Sequence, residues 1–110
     1  MTVAEAMKKM ILFSDGNKHD INHFLKVHAY AQTIGACEGL PEDARKTLEL
    51  AAIVHDIACP LCREKYGSTN GKYQELEGGP LTREFFADTD VPAGQVERIV
   101  WLVSHHHTLR

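Results

Sequence analysis

The sequence predicts an all-α protein, a single-domain bundle of five or more helices over residues 1–110. Three observations lead to this fold class. No run alternates apolar and polar residues as a half-buried strand would. Apolar residues instead recur at helical spacing on three separate segments, with capping residues near their ends. The length of 110 residues, with 44% hydrophobic and 25% charged residues, is that of one soluble globular domain.

Capping residues and prolines set the expected helix bounds. Thr2 and Asn17 stand where N-caps belong, and Gly39 stands where a helix stops. Pro60 is expected to bend or break the third helix. In chain order, helices are expected over Val3 to about Phe13, Lys18 to Glu38, Pro41 to about Ala58, Leu81 to Ala87, and Pro92 to at least His106. The Gly-, Ser- and Asn-containing stretch from Tyr66 to Gly79, with one helical turn around Tyr73 to Leu76, is typical of a binding loop or lid.

Three apolar helix faces each lead into histidine, a residue present 7 times. The faces are His23, Val27, Ala31 and Ile34 on the second helix; Ala44, Leu48, Ala51, Ala52 and His55 on the third; and Val96, Ile99, Val100 and Val103 on the last, continued by His106 and His107. If these faces pack together, the histidines converge inside the bundle.

The charge and cysteine counts exclude several classes of protein. With 12 Lys and Arg against 15 Asp and Glu, the net charge is −3, and the scattered cations do not form the basic track that a polynucleotide needs. An odd count of 3 cysteines argues against a disulfide framework. No segment has the features of a signal peptide or the length of a membrane span. We therefore expect a soluble, cytoplasmic protein with no polynucleotide or membrane partner.

A histidine followed at once by an aspartate suggests a metal site. A lone histidine on an apolar face is usually a hydrogen-bonded core residue. His55 and Asp56 differ because side chains about 100° apart on a helix can approach one ion from two directions. Imidazoles beside a carboxylate suit Mn, Fe, Zn or Ni.

The segments His23-Phe24-Leu25-Lys26-Val27 and Ala51-Ala52-Ile53-Val54-His55-Asp56-Ile57 resemble the HD-domain superfamily of metal-dependent phosphohydrolases. The resemblance runs from roughly Lys18 to Thr108 and is closest to small single-domain bacterial members. It implies a divalent transition metal (Mn, Fe, Ni or Zn, with Mg a further option) held by His23, His55 and Asp56, with Asp56 also catalytic.

The resemblance further implies a second aspartate ligand on a later helix. Asp88 and Asp90 precede the histidine-bearing helix and are on the wrong side of it in chain order. Two interpretations remain open. The 110 residues are a fragment that lacks the family's closing helices, which we favour, or this member's site is incomplete.

Other residues are secondary candidates. The resemblance gives His106, and after it His105, a contact with substrate phosphate or a second metal; a solvated helix end and a tag remnant are the alternatives. Lys26, Arg63 and Lys65 are candidate phosphate partners, and the last two lead into the expected lid. For Cys59-Pro60-Leu61-Cys62, packing beside the metal site is favoured over auxiliary metal ligation and redox chemistry.

The function expected from these residues and the resemblance is hydrolysis of a small phosphorylated substrate, with a nucleotide the expected class. One alternative is a catalytically incomplete ligand-binding or signalling module. Another is a di-iron oxidative enzyme. The open apolar face of the last helix also indicates a homodimer as a way to cover it.

Overall fold

The computed structural model describes residues 1–105, and most of them are helical. In chain order the six helices of these residues are α1 (Val3–Phe13), α2 (Lys18–Cys37), α3 (Glu42–Val54), α4 (Cys59–Tyr66), α5 (Gly71–Ala87) and α6 (Ala93–His105). The prediction of an all-α fold is confirmed. None of the helices in residues 1–105 is long and apolar enough to cross a membrane.

The N-terminal helices begin where their caps predict. The Thr2 side chain accepts a hydrogen bond from the Glu5 amide and the Glu5 side chain accepts one from the Thr2 amide, which is a complete capping box. The Asn17 side chain likewise accepts from the Asp20 amide at the start of α2. Gly39 follows α2 with a φ of 64°, a left-handed conformation that glycine adopts without strain.

Contacts divide the chain into two compact units, the first covering Met1–Val54 and the second beginning at His55. In the first unit α3 packs against both α1 and α2. The second half of α3 is buried on every side, with Leu50, Ile53 and Val54 at 0% exposure. The expectation of one domain over residues 1–110 stays a prediction.

In the second unit α5 packs along α6, and α4 packs on α5. The buried residues of α6 include Ile99, Val100 and Val103, as its apolar stripe predicts. Gly78 allows the close approach of the two helices, because a Cβ built there would lie 3.3 Å from Cγ1 of Val103.

Two helix predictions are wrong. The third helix ends at Val54 and not near Ala58, and Pro60 lies in the first turn of α4, where its missing N–H costs nothing. The prediction of a loop or lid from Tyr66 to Gly79 is also wrong. Most of that stretch belongs to α5, a helix of 17 residues, and only residues 67–70 connect it to α4.

The buried face of α2 differs from the predicted one. Phe24, Ala31 and Gly35 are the buried residues of the helix, whereas Ile34 is 56% exposed and His23 is exposed. The helix is thus rotated toward Phe24 relative to the predicted stripe. The expectation that the histidines converge inside the bundle therefore fails for His23, which stands at the surface.

Candidate metal centre

His55 and Asp56 lie in the turn that follows α3 directly. Their side chains are 13% and 28% exposed, and Nε2 of His55 lies 3.1 Å from Oδ2 of Asp56. The preceding residues, Ile53 and Val54, are fully buried, so the turn is held by the core at its start. Two potential ligand atoms are thereby fixed side by side near the surface.

His23 belongs to the first turns of α2, whose N-cap is Asn17. One ligand atom from each of His23, His55 and Asp56 lies within 4.8 Å of the others. The residues assigned from the sequence as metal ligands are therefore close in space, and their role as ligands stays a prediction.

This donor set fits a divalent transition metal. Imidazole nitrogens bind Zn²⁺ at about 2.0–2.1 Å and carboxylate oxygens at about 2.0–2.2 Å, so neighbouring ligand atoms around one ion stand roughly 3–3.5 Å apart. The 3.1 Å between His55 and Asp56 is already in that range. The other separations in the group are at most 4.8 Å. Three protein ligands would leave positions for water or substrate, as in catalytic sites.

Among residues 1–105, the histidine of the last helix, His105, does not join this group. Nδ1 of His105 donates a hydrogen bond to the Trp101 carbonyl at 2.7 Å, and the two rings stack with centroids 4.5 Å apart. This arrangement holds His105 against its own helix, and His105 is absent from the metal-ligand group found among residues 1–105. His106 and His107 lie outside the described residues.

The three candidate phosphate partners have different surroundings. Lys26 is an exposed residue of α2, and Arg63 and Lys65 lie on α4 and not beside a long loop. Lys65 Nζ donates to Oε2 of Glu77 at 2.9 Å, and the hydrogen bonds to Glu77 and then Tyr66 raise the pKa of Lys65. Hydrogen bonds from Lys65 and then from Tyr66 lower the pKa of Glu77. Lys65 is therefore already paired with a carboxylate.

The two cysteines of the Cys-x-x-Cys segment pack in the interior. Cys59 is 8% exposed and Cys62 is fully buried, and none of the three cysteines forms a disulfide. Burial raises the pKa of the Cys62 thiol, and the charge of Glu77 raises it further. Because α3 ends before His55, the helical spacing that would place Cys59 on the same face as His55 does not exist. Neither cysteine belongs to the candidate metal group found in residues 1–105.

One paired residue was not anticipated from the sequence. His28, expected to pack or to face solvent, donates from Nε2 to Oε1 of Glu49 at 2.9 Å, and both side chains are only 15% exposed. The contact joins α2 to α3. The five-residue spacing from His23 places His28 on a different side of α2, and nothing in the sequence indicates its partner.

Comparison with known proteins gives one family and no individual relative. No curated protein and no solved structure matches the chain. The family model of the HD domain matches residues 20–110, a span that includes His23, His55 and Asp56. HD domains typically bind divalent metals and are generally metal-dependent hydrolases. With most of its length matched by that model, the chain belongs to the HD domain family.

Proposed function

We propose that this chain is a metal-dependent phosphohydrolase that acts on a small phosphorylated substrate, with a nucleotide the expected class. The observation that carries the proposal is the grouping of two imidazoles and one carboxylate within 4.8 Å. The family match supports it, because HD domains are generally metal-dependent hydrolases.

Each ligand residue has a distinct part in the proposed site. His23 and His55 offer neutral ring nitrogens, and Asp56 offers a negative charge that attracts and holds a cation. When bound, a divalent cation supplies polarisation of a phosphoryl oxygen and a lowered pKa of water. The turn at His55 and Asp56 keeps their two ligand atoms 3.1 Å apart, so little side-chain freedom is lost on binding.

The charge of the protein favours a small substrate. A net charge of −3 with scattered cations does not suit a long phosphate backbone. One or two cations are enough for a single phosphate group. Lys26, Arg63 and Lys65 are the candidates for the phosphate contact, and Lys65 would have to leave Glu77 to make it.

The test combines metal analysis with a nucleotide screen on untagged protein. We expect stoichiometric Mn, Fe, Ni or Zn in the wild type and phosphate release from at least one nucleoside phosphate. His55→Ala should lose both the metal and the turnover. His19→Ala is the matched control, because His19 is an exposed histidine outside the ligand group. Turnover that survives complete removal of metal would refute the proposal.

A ligand-binding module is the second candidate. It is favoured by one observation: within residues 1–105 the group contains His23, His55 and Asp56 and no aspartate from a later helix. Metal bound at this site, with no phosphate released from any nucleotide, would select this candidate. About two irons per chain with visible colour would instead select the oxidative enzyme.

A further inference from the structure

The contact between His28 and Glu49 joins the two helices that lead to the candidate metal ligands. Nε2 of His28 and Oε1 of Glu49 are 2.9 Å apart, and each side chain is 85% removed from solvent. A charge-assisted hydrogen bond of this length in a half-buried place is stronger than an exposed ion pair. A substitution that removes one of the two side chains leaves the polar group of the other, which is mostly buried, without its hydrogen-bond partner.

The relative direction of α2 and α3 determines how far this contact lies from the candidate ligands. Residues 38–41 connect the two helices, and the pairs His28 with Glu49 and Gly35 with Leu48 show that they run antiparallel. His23 lies five residues before His28, and His55 lies six residues after Glu49. At a rise of about 1.5 Å per residue, both ligands stand about 7–9 Å from the contact, toward the same end of the helix pair.

A contact so placed can fix the sliding position of one helix along the other. A slip of one turn moves a helix by about 5.4 Å, which exceeds the separation of the ligand atoms in the group. At the ligand end the buried residue of α2 is Phe24, whereas beyond His28 the buried residues are small, Ala31 and Gly35, so apolar contacts there discriminate weakly against such a slip. A hydrogen bond with fixed geometry does discriminate.

We propose that His28 and Glu49 are positioning residues for the metal ligands: their hydrogen bond sets the register of α2 on α3 and so fixes His23 relative to the end of α3, which His55 and Asp56 follow directly in the chain. This inference rests on the proposed function, since it requires that the three ligands bind a metal. Neither residue is assigned any contact with metal or substrate.

The test compares two substitutions of nearly equal size at one position. Glu49→Met removes the hydrogen bond and keeps the volume, whereas Glu49→Gln keeps an oxygen that accepts from His28. Binding of Mn²⁺, and separately of Zn²⁺, to the full-length metal-free protein is measured by calorimetry. We expect Glu49→Met to weaken metal binding by about tenfold or more, which is the typical effect of removing a residue that orients a metal ligand. We expect the affinity of Glu49→Gln to remain near that of the wild type.

A stability control separates positioning from a general loss of structure. Leu48→Ala removes a neighbouring contact of the same helix pair and should lower the free energy of unfolding with little change in metal affinity. If Glu49→Met does not fold, the double substitution His28→Leu with Glu49→Met leaves no unpaired polar group and should fold with the same loss of affinity.

The outcomes distinguish the two proposals. Wild-type protein that binds neither metal overturns the proposed function and this inference together. Wild-type binding that is unchanged in Glu49→Met, or weakened equally in Leu48→Ala, overturns the inference alone. Weak binding in Glu49→Met with recovery in Glu49→Gln supports the assignment.

Discussion

Oδ2 of Asp56 stands 3.1 Å from Nε2 of His55, its neighbour in the chain. Both residues lie in the turn that follows α3, which ends at Val54. The sequence alone placed the end of this helix near Ala58 and so too late.

Asp56→Asn tests the charge at this position. The amide keeps the size of the side chain and loses the negative charge, so we expect the affinity for a divalent metal to fall by at least about tenfold. Equilibrium dialysis against Mn²⁺ measures the change. Asp15→Asn, the same substitution at an exposed turn residue with a φ of 48°, should bind like the wild type. Equal binding by all three proteins would remove Asp56 from the site.

The second prediction concerns the core of the first unit. Leu50 is 0% exposed and Leu76 is 63% exposed, so the same leucine-to-alanine change has different consequences at the two positions. We expect Leu50→Ala to lower the free energy of unfolding by about 2–5 kcal/mol, and Leu76→Ala to change it by less than about 0.5 kcal/mol. Urea unfolding followed by circular dichroism gives both values. Similar losses would mean that α3 is less buried than described.

The starts of the N-terminal helices were predicted well from their capping residues, whereas the loop expected before the last helices was not found. The caps at Thr2 and Asn17 act within four residues, so they can be recognised without the fold. The Gly, Ser and Asn residues between Tyr66 and Gly79 suggested a loop. In the structure α5 begins at Gly71 and continues through Gly78 and Pro80, and Gly78 lets α6 approach.

For the candidate site, the motif residues could be found and their surroundings could not. His23, His55 and Asp56 stand in recognisable segments, and they lie close together. The partner of His28 is 21 positions away, and only the packing of α2 on α3 brings Glu49 to it. The position of His105 likewise depends on its stacking with Trp101, which an apolar stripe does not reveal.

The third prediction uses two glycines that both face open space. A Cβ at Gly94 or at Gly39 would have no atom within 4 Å, but only Gly39 has a positive φ, of 64°. Gly94→Ala should raise the free energy of unfolding by about 0.4–1 kcal/mol by restricting the unfolded chain. Gly39→Ala should lower it by about 1–2 kcal/mol because of the left-handed conformation. Thermal melts of the two variants should therefore shift in opposite directions.

The fourth prediction concerns thiol reactivity. Cys37 is exposed, whereas Cys59 and Cys62 are buried and burial raises the pKa of Cys62. We expect one thiol per chain to react rapidly with Ellman's reagent in the native protein and three to react in denaturant. Cys37→Ser should abolish the rapid phase. Rapid reaction of a second and third native thiol would favour redox chemistry at the Cys-x-x-Cys segment over packing.

The last prediction is a pH dependence of stability from the contact between Lys65 and Glu77. The pKa of Glu77 is lowered below 4.5, so its contribution is complete above that value and is lost as the pH falls through the folded-state pKa. The pKa of Lys65 is raised above 10.5, so its contribution is complete below that value and is lost as the pH rises through the folded-state pKa. The stabilisation should be constant between these limits.

A comparison of Glu77→Gln with Glu97→Gln separates the acidic limit of the stabilisation from the alkaline one. Hydrogen bonding to Arg83 lowers the pKa of Glu97 in the same way, but the same hydrogen bond raises the pKa of Arg83, and a guanidinium keeps its proton in alkali. We expect the melting temperature of each variant to lie slightly below that of the wild type at pH 7 and to converge with it as the pH falls through the folded-state pKa of the carboxyl group, since exposed pairs contribute little. As the pH rises through the folded-state pKa of Lys65, the difference should shrink for Glu77→Gln and persist for Glu97→Gln. Of the two cations only the lysine loses its proton there, so equal behaviour of the two variants in alkali would contradict the assigned pairing of Lys65.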